Sequence, residues 1–133
     1  MKLDDWIGKP YAEGGQGPHA YDCLGLAKAV LEAAGYRLPK LDTLDPHGPN
    51  QSSNHGSNQG SNHGSNQGFE QVALSQSQPL DCLLFRQFGA GFHVGLIADR
   101  RLMLHTTKSL GAHLADYHRP YWASRLIGVY RCV

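Results

Sequence analysis

The chain has 133 residues, 41% of them hydrophobic, and a formal net charge of +1. That is the length of one domain, enough to bury roughly two thirds of its unfolded surface around one core. A near-neutral charge with no basic stripe excludes the usual nucleic-acid binder, and no apolar run approaches the roughly 20 residues that span a bilayer.

The N-terminus, "MKLDDWIGKPY", carries two acids and a tryptophan where an export signal has its apolar stretch. The expectation is synthesis in the cytoplasm without the general export route. A short helical piece starts at Leu3 and ends before Gly8, and Gly14 and Gly15 read as a turn. The first long helix follows. Asp22 is its N-cap, Leu26, Ala27, Val30, Leu31 and Ala34 keep helical spacing, Gly35 stops it, and Pro39 lies beyond. Cys23 sits on the same stripe, at the helix start. There it reads either as a small core residue or as a thiol whose pKa the helix N-terminus lowers. The helix alone leaves both readings open.

Residues 50–68, "NQSSNHGSNQGSNHGSNQG", repeat with a period of eight and contain no apolar residue. They read as a disordered loop inserted in a single domain spanning residues 1–133. His55 and His63 lie in it with no carboxylate or thiol nearby, so no metal site is expected. After the loop the period becomes that of strands, at 81–86, 92–98, 101–107, 112–117 and 125–132. The fold class is α+β, with N-terminal helices packed on a five-stranded antiparallel sheet.

The three cysteines form neither a disulfide framework nor a zinc pattern. Cys82 and Cys132 fall in strands and read as buried structural thiols. His47, His113 and His118 are expected to face solvent, and Trp6 and Trp122 to be core or groove-edge residues. His93 and His105 are different, because their separation of twelve is even. A three-residue loop at Ala98–Arg100 pairs His93 with His105 and Gly95 with Met103, and puts both histidines on one face. A two-residue loop at Asp99 and Arg100 puts them on opposite faces. A cysteine, a histidine and a polar residue that orients the histidine are the parts of an activated thiol nucleophile.

The stretches "PYAEGGQGPHAYDCLGLAKAVLEAAGYRLP" and "DCLLFRQFGAGFHVGLIADRRLMLHTT" resemble the NlpC-type papain-like cysteine peptidases of bacterial cell walls. That family shows Pro-Tyr-x-x-Gly-Gly, then Asp-Cys-x-Gly-Leu opening the central helix, Gly-Asp-x-x-x-Phe, His-Val-Gly-Ile, and a polar residue twelve positions further on. The tail "RLIGVYRC" and the small size are most similar to the members in phage tail tips. By position, the resemblance makes Cys23 the nucleophile, His93 the general base and His105 its orienting partner. It makes Tyr11 an oxyanion donor beside the Cys23 N–H, and Asp22 the place where a substrate's free amine binds. There are two departures: Leu24 where the cell-wall enzymes often have serine, and Leu80 where the family has glycine.

The resemblance implies hydrolysis of an amide bond in peptidoglycan stem peptides, without metal or organic cofactor, in a phage or prophage tail tip. The implied partners are the stem peptide and phage tail proteins, with no nucleic acid and no membrane. Two other functions fit the same fold: an acyltransferase, favoured by an apolar pocket beside Leu24, and a non-enzymatic structural component of tail assembly.

Overall fold

Asp22 sets where the helix begins. Its carboxylate accepts the Gly25 N–H at 2.6 Å, and α1 runs Cys23–Ala33. This is the computed structural model of the chain, describing residues 3–36, 69–87 and 91–132. The repeat at 50–68, Pro39, His47, His55 and His63 lie outside the described residues. Gly25 has no room for a side chain, because a Cβ there would strike the Gly15 carbonyl. The glycine turn at 14–15 and the helix start are thus locked together. The predicted N-terminal helical piece is a single 3-10 turn, Leu3–Trp6.

The sheet has six strands, not the five expected: β1 (Phe69–Val72), β2 (Cys82–Arg86), β3 (Phe92–Ile97), β4 (Leu102–Thr107), β5 (Gly111–Asp116) and β6 (Leu126–Cys132). Their order is β1-β6-β2-β3-β4-β5, with every neighbouring pair antiparallel. The strand missed was β1. It is only four residues long and borders the apolar-free repeat, so its sequence carries little alternation. It is fixed by pairing with β6, Phe69 opposite Cys132. A short helix, α2 (Pro120–Ala123), precedes β6.

Alternation along the strands gives the sheet two apolar faces. Cys82, Leu84, Val94, Leu96, Leu104 and Ala112 pack with Leu26, Ala27, Val30 and Leu31 of α1. Leu83, Phe85, Ile97, Met103 and Val129 pack on the other face with Tyr117, and Trp122 of α2 lies against them. Val30 and Leu31 are fully buried, and each such side chain contributes about 1.5–3 kcal/mol. Across the sheet, Asp81 accepts two hydrogen bonds from Arg131, at 3.0 Å each, tying β2 to β6. Leu80 holds a φ of 75°, in the left-handed region, which costs roughly 1–2 kcal/mol at a residue with a Cβ and accounts for glycine at this place in the family.

The β3–β4 register corrects the expected one. Leu96 pairs with Leu104 and Ile97 with Met103, so Gly95 is not paired with Met103, nor His93 with His105. The Ala98 N–H donates to Leu102, which moves the turn to Asp99, Arg100 and Arg101. The loop keeps an odd number of residues, so the shared face survives the shift. Asp99 caps the turn by accepting from the Arg101 and Leu102 N–H groups, both at 2.8 Å. Only these two residue pairs join the two six-residue strands. Beyond Leu96 the β3–β4 ladder stops, and the ends carrying His93 and Thr106 form a fork.

Candidate active site

The fork is where α1 meets the sheet. A cavity of about 510 Å³ opens there, and Tyr11, Asp22, Cys23 and His93 all line it. Glu13, Leu24, Phe92, Thr106 and Lys108 contribute further walls. A larger cavity of about 630 Å³, beside Leu74–Pro79 and the β3–β4 turn, holds none of the expected site residues. Size does not identify the reactive cavity here; the thiol and imidazole do.

Cys23 is half-buried, with the backbone N–H groups of Val94, Leu24 and Cys23 itself turned to its sulfur closely enough to lower its pKa. These donors favour the thiolate. Burial nevertheless pushes the thiol pKa up, and the Asp22 carboxylate adds to the rise. The lowered pKa expected from the helix terminus is therefore not the outcome: desolvation outweighs the backbone donors. Cys82 is fully buried and its thiol is pushed up too, by burial and then by Cys132 and Asp81. Cys132 is also buried, so both act as core residues.

His93 lies on the sheet face opposite α1 yet lines the cavity with Cys23, which the open end of the β3–β4 ladder allows. Its Nε2 is 2.8 Å from Nδ1 of His105. That contact occupies Nε2 and does not involve Nδ1. Burial lowers the His93 pKa to about 4, with a smaller contribution from His113. His105 is deeper, at 1% exposure, and burial followed by His93 and His113 lowers it to about 3. Both shifts favour neutral rings. These directions favour the protonated thiol and the neutral imidazole at neutral pH.

Aromatic rings enclose the pair. Trp122 stacks on His93 with centroids 5.2 Å apart and an angle of 26°, and meets His105 edge-on at 5.0 Å. Phe85 lies 6.2 Å from His93. Trp122, expected as a core or groove-edge residue, is the wall of the imidazole pair. His113 departs from its expected solvent position: it is half-buried, opposite His105 in the β4–β5 ladder, with ring centroids 4.4 Å apart. His118 is exposed, as expected, beside Asp116. No group of three or more His, Cys, Asp or Glu side chains among the described residues is arranged to hold a metal ion, and no helix among them is long and apolar enough to cross a membrane.

Tyr11 is held beside the helix start by backbone pairing with Tyr21, Ala12 N–H donating to Tyr21 and Tyr21 N–H to Pro10. Its hydroxyl donates to Glu13 at 3.2 Å. Burial and Glu13 raise its pKa, so it remains a donor at neutral pH. Glu13 also lies 4.0 Å from Lys108, a solvated pair at the cavity mouth.

A thiol at a helix N-terminus thus shares a cavity with an imidazole from an antiparallel sheet, in a domain of the α+β class. Within that class the chain belongs to the NlpC/P60 family, whose pattern matches residues 8–131. It is 29% identical over 123 residues to "Probable endopeptidase p60" of Listeria monocytogenes, a match covering 92% of this chain and 21% of that protein. It is 26% identical over 122 residues to the "Murein DD-endopeptidase MepS/Murein LD-carboxypeptidase" of Escherichia coli, covering 91% of this chain and 54% of that one. A solved NlpC/P60 family protein from Bacillus cereus shares the fold at a TM-score of 0.70 and 17% identity, over 97% of this chain and 37% of that one. The chain spans about a fifth of the length of the Listeria relative.

Proposed function

We propose that the protein is a cysteine peptidase that hydrolyses an amide bond in peptidoglycan stem peptides. The observation that carries the reading is the shared cavity of Cys23 and His93, with His105 bonded behind His93. Family membership and the names of the p60 and MepS relatives, a probable endopeptidase and a murein endopeptidase, support the reaction class and the substrate. The mixed lining, with Glu13, Asp22, Gln87, Thr106 and Lys108 against Leu24 and Phe92, suits a polar peptide better than an acyl chain.

In the acylation step His93 Nδ1 takes the Cys23 proton as the sulfur attacks the carbonyl carbon. The Cys23 N–H and the Tyr11 hydroxyl receive the oxyanion, the latter by leaving Glu13. One such donor contributes about 3–4 kcal/mol to transition-state stabilisation. Collapse expels the amine, which takes the proton from His93 and leaves a thioester. Water, deprotonated by His93, then releases the acid and restores the thiol. A phage or prophage tail tip is the setting we propose, with tail proteins holding the domain at the wall; the family resemblance of the compact tail-tip members supports this.

Mass spectrometry of purified peptidoglycan, incubated with the protein and with Cys23→Ala, tests the reading. New stem-peptide termini are expected with the wild type only. Intact muropeptides in both reactions would leave a structural role in tail assembly as the better account.

A further inference from the structure

His105 has two ring nitrogens in very different company. Nδ1 meets His93 Nε2 at 2.8 Å. Nε2 is buried and has no hydrogen-bond partner among the described residues. One proton lies between the two rings, and its owner decides whether His93 is a base. If it sits on His93 Nε2, His93 Nδ1 holds a lone pair for the thiol proton, and neutral His105 carries its own hydrogen on Nε2. If it sits on His105 Nδ1, neutral His93 is protonated at Nδ1 and cannot accept from Cys23. The imidazolium formed during attack also needs the first arrangement, with His93 Nε2–H donating to His105.

What surrounds His105 Nε2 therefore selects the working form. His113 stands directly opposite His105 in the ladder, rings 4.4 Å apart and tilted by 54°. Its Nδ1 is 2.8 Å from the Gly111 carbonyl oxygen. A carbonyl only accepts, so His113 Nδ1 carries a hydrogen committed to Gly111 and does not donate it to His105. Trp122 adds a second ring, perpendicular to His105 at 5.0 Å. With no donor reaching Nε2 among the described residues, a lone pair there has nothing to accept from, and a hydrogen beside these rings is the better-served form.

We infer that His113 is a positioning residue that fixes His105 in the Nε2–H tautomer and so keeps His93 Nδ1 free to accept the thiol proton. The inference rests on Cys23 and His93 acting as nucleophile and base. Its test reads the tautomer without substrate. Long-range proton–nitrogen NMR of histidine-labelled protein at neutral pH should show wild-type His105 protonated at Nε2. His113→Phe keeps a ring face and should keep that tautomer, with kcat within about threefold of wild type. His113→Lys brings a donor and a charge to the same place. It should move the hydrogen to Nδ1 and lower kcat on the order of 10²-fold or more, with KM within about twofold. If the lysine variant does not fold, His113→Gln, whose amide donates without charge, reads the same shift. Wild-type His105 protonated at Nδ1, or a folded donor variant with tautomer and kcat both unchanged, overturns the inference. A tautomer shift in a protein whose wild type never cleaves peptidoglycan overturns the proposed function instead and leaves the tautomer assignment standing.

Discussion

The sheet turns an aliphatic face to α1 and an imidazole-bearing face to α2, and the two faces bury their side chains on different terms. Under α1, Val94, Leu96 and Leu104 meet Leu26, Val30 and Leu31, and the contacts are aliphatic. Burial there stabilises the fold in proportion to area. On the α2 face, His93 and His105 are buried beside Phe85 and Trp122, and burial works against any charge they take up. One nitrogen of His105 is left without a hydrogen bond among the described residues. Both faces bury apolar side chains, and the second also carries the imidazoles on which the proposed chemistry rests. Cys23 joins them because α1 begins where β3 and β4 part.

Exchanging a residue on each face should separate the two roles. His93→Gln should lower kcat by about 10³-fold, on the order of 4 kcal/mol in the barrier, with KM little changed, as loss of a general base requires. Its unfolding free energy in urea should not fall below wild type by more than about 1 kcal/mol. Leu31→Ala should do the reverse. A fully buried leucine truncated to alanine costs about 2–5 kcal/mol in denaturant unfolding, while kcat of the folded fraction stays at wild type. A large activity loss in Leu31→Ala, measured where it is folded, would mean the faces are not independent.

The imidazole face also predicts acid sensitivity. In the folded chain His93 titrates at about 4 and His105 at about 3, both below the ordinary 6.5. As pH falls, the unfolded chain takes up these protons first. The stability contribution is therefore complete above about pH 6.5 and is lost as pH drops through 6.5 towards 4. At about 1.4 kcal/mol per unit, His93 alone accounts for about 3 kcal/mol. Urea unfolding at pH 7 and 4.5 should show that fall in the wild type and a shallower one in His93→Gln. Equal slopes would assign the acid loss to other groups.

What the sequence discloses about these faces follows how local the cause is. The helix start was legible because Asp22 caps it with its own side chain, three residues from its donor. The alternation of β2 to β6 placed those strands within a residue or so, whereas β1 depends on β6 for its existence. The parity of the His93–His105 spacing foretold one face, but the turn slid by one residue because Asp99 caps it at Arg101 and Leu102. The place of His113 was hidden, since it is set by the β4–β5 register and nothing in the flanking residues declares that. The direction of the Cys23 shift was hidden for the same reason: depth of burial is a tertiary quantity, and it overrode the helix terminus.

The smallest expected effect concerns the residue at the edge between the faces. Asp22 caps α1 through Gly25 and also lines the cavity, so a single substitution confuses fold with binding. Two substitutions separate them. Asparagine caps nearly as well as aspartate, so Asp22→Asn should change stability by no more than about 0.5 kcal/mol, whereas Asp22→Ala should cost about 1 kcal/mol. Both remove the carboxylate. If that carboxylate receives the free amine of a stem peptide, both should raise KM for the amine-bearing peptide by a similar factor, about 10-fold, and neither should do so once the amine is acetylated. Removing the charge also removes one of the causes that raise the Cys23 pKa, so iodoacetamide should label Cys23 faster in Asp22→Asn than in wild type. Should Asp22→Asn keep wild-type KM while Asp22→Ala loses stability alone, Asp22 is a helix cap and the amine is bound elsewhere in the cavity.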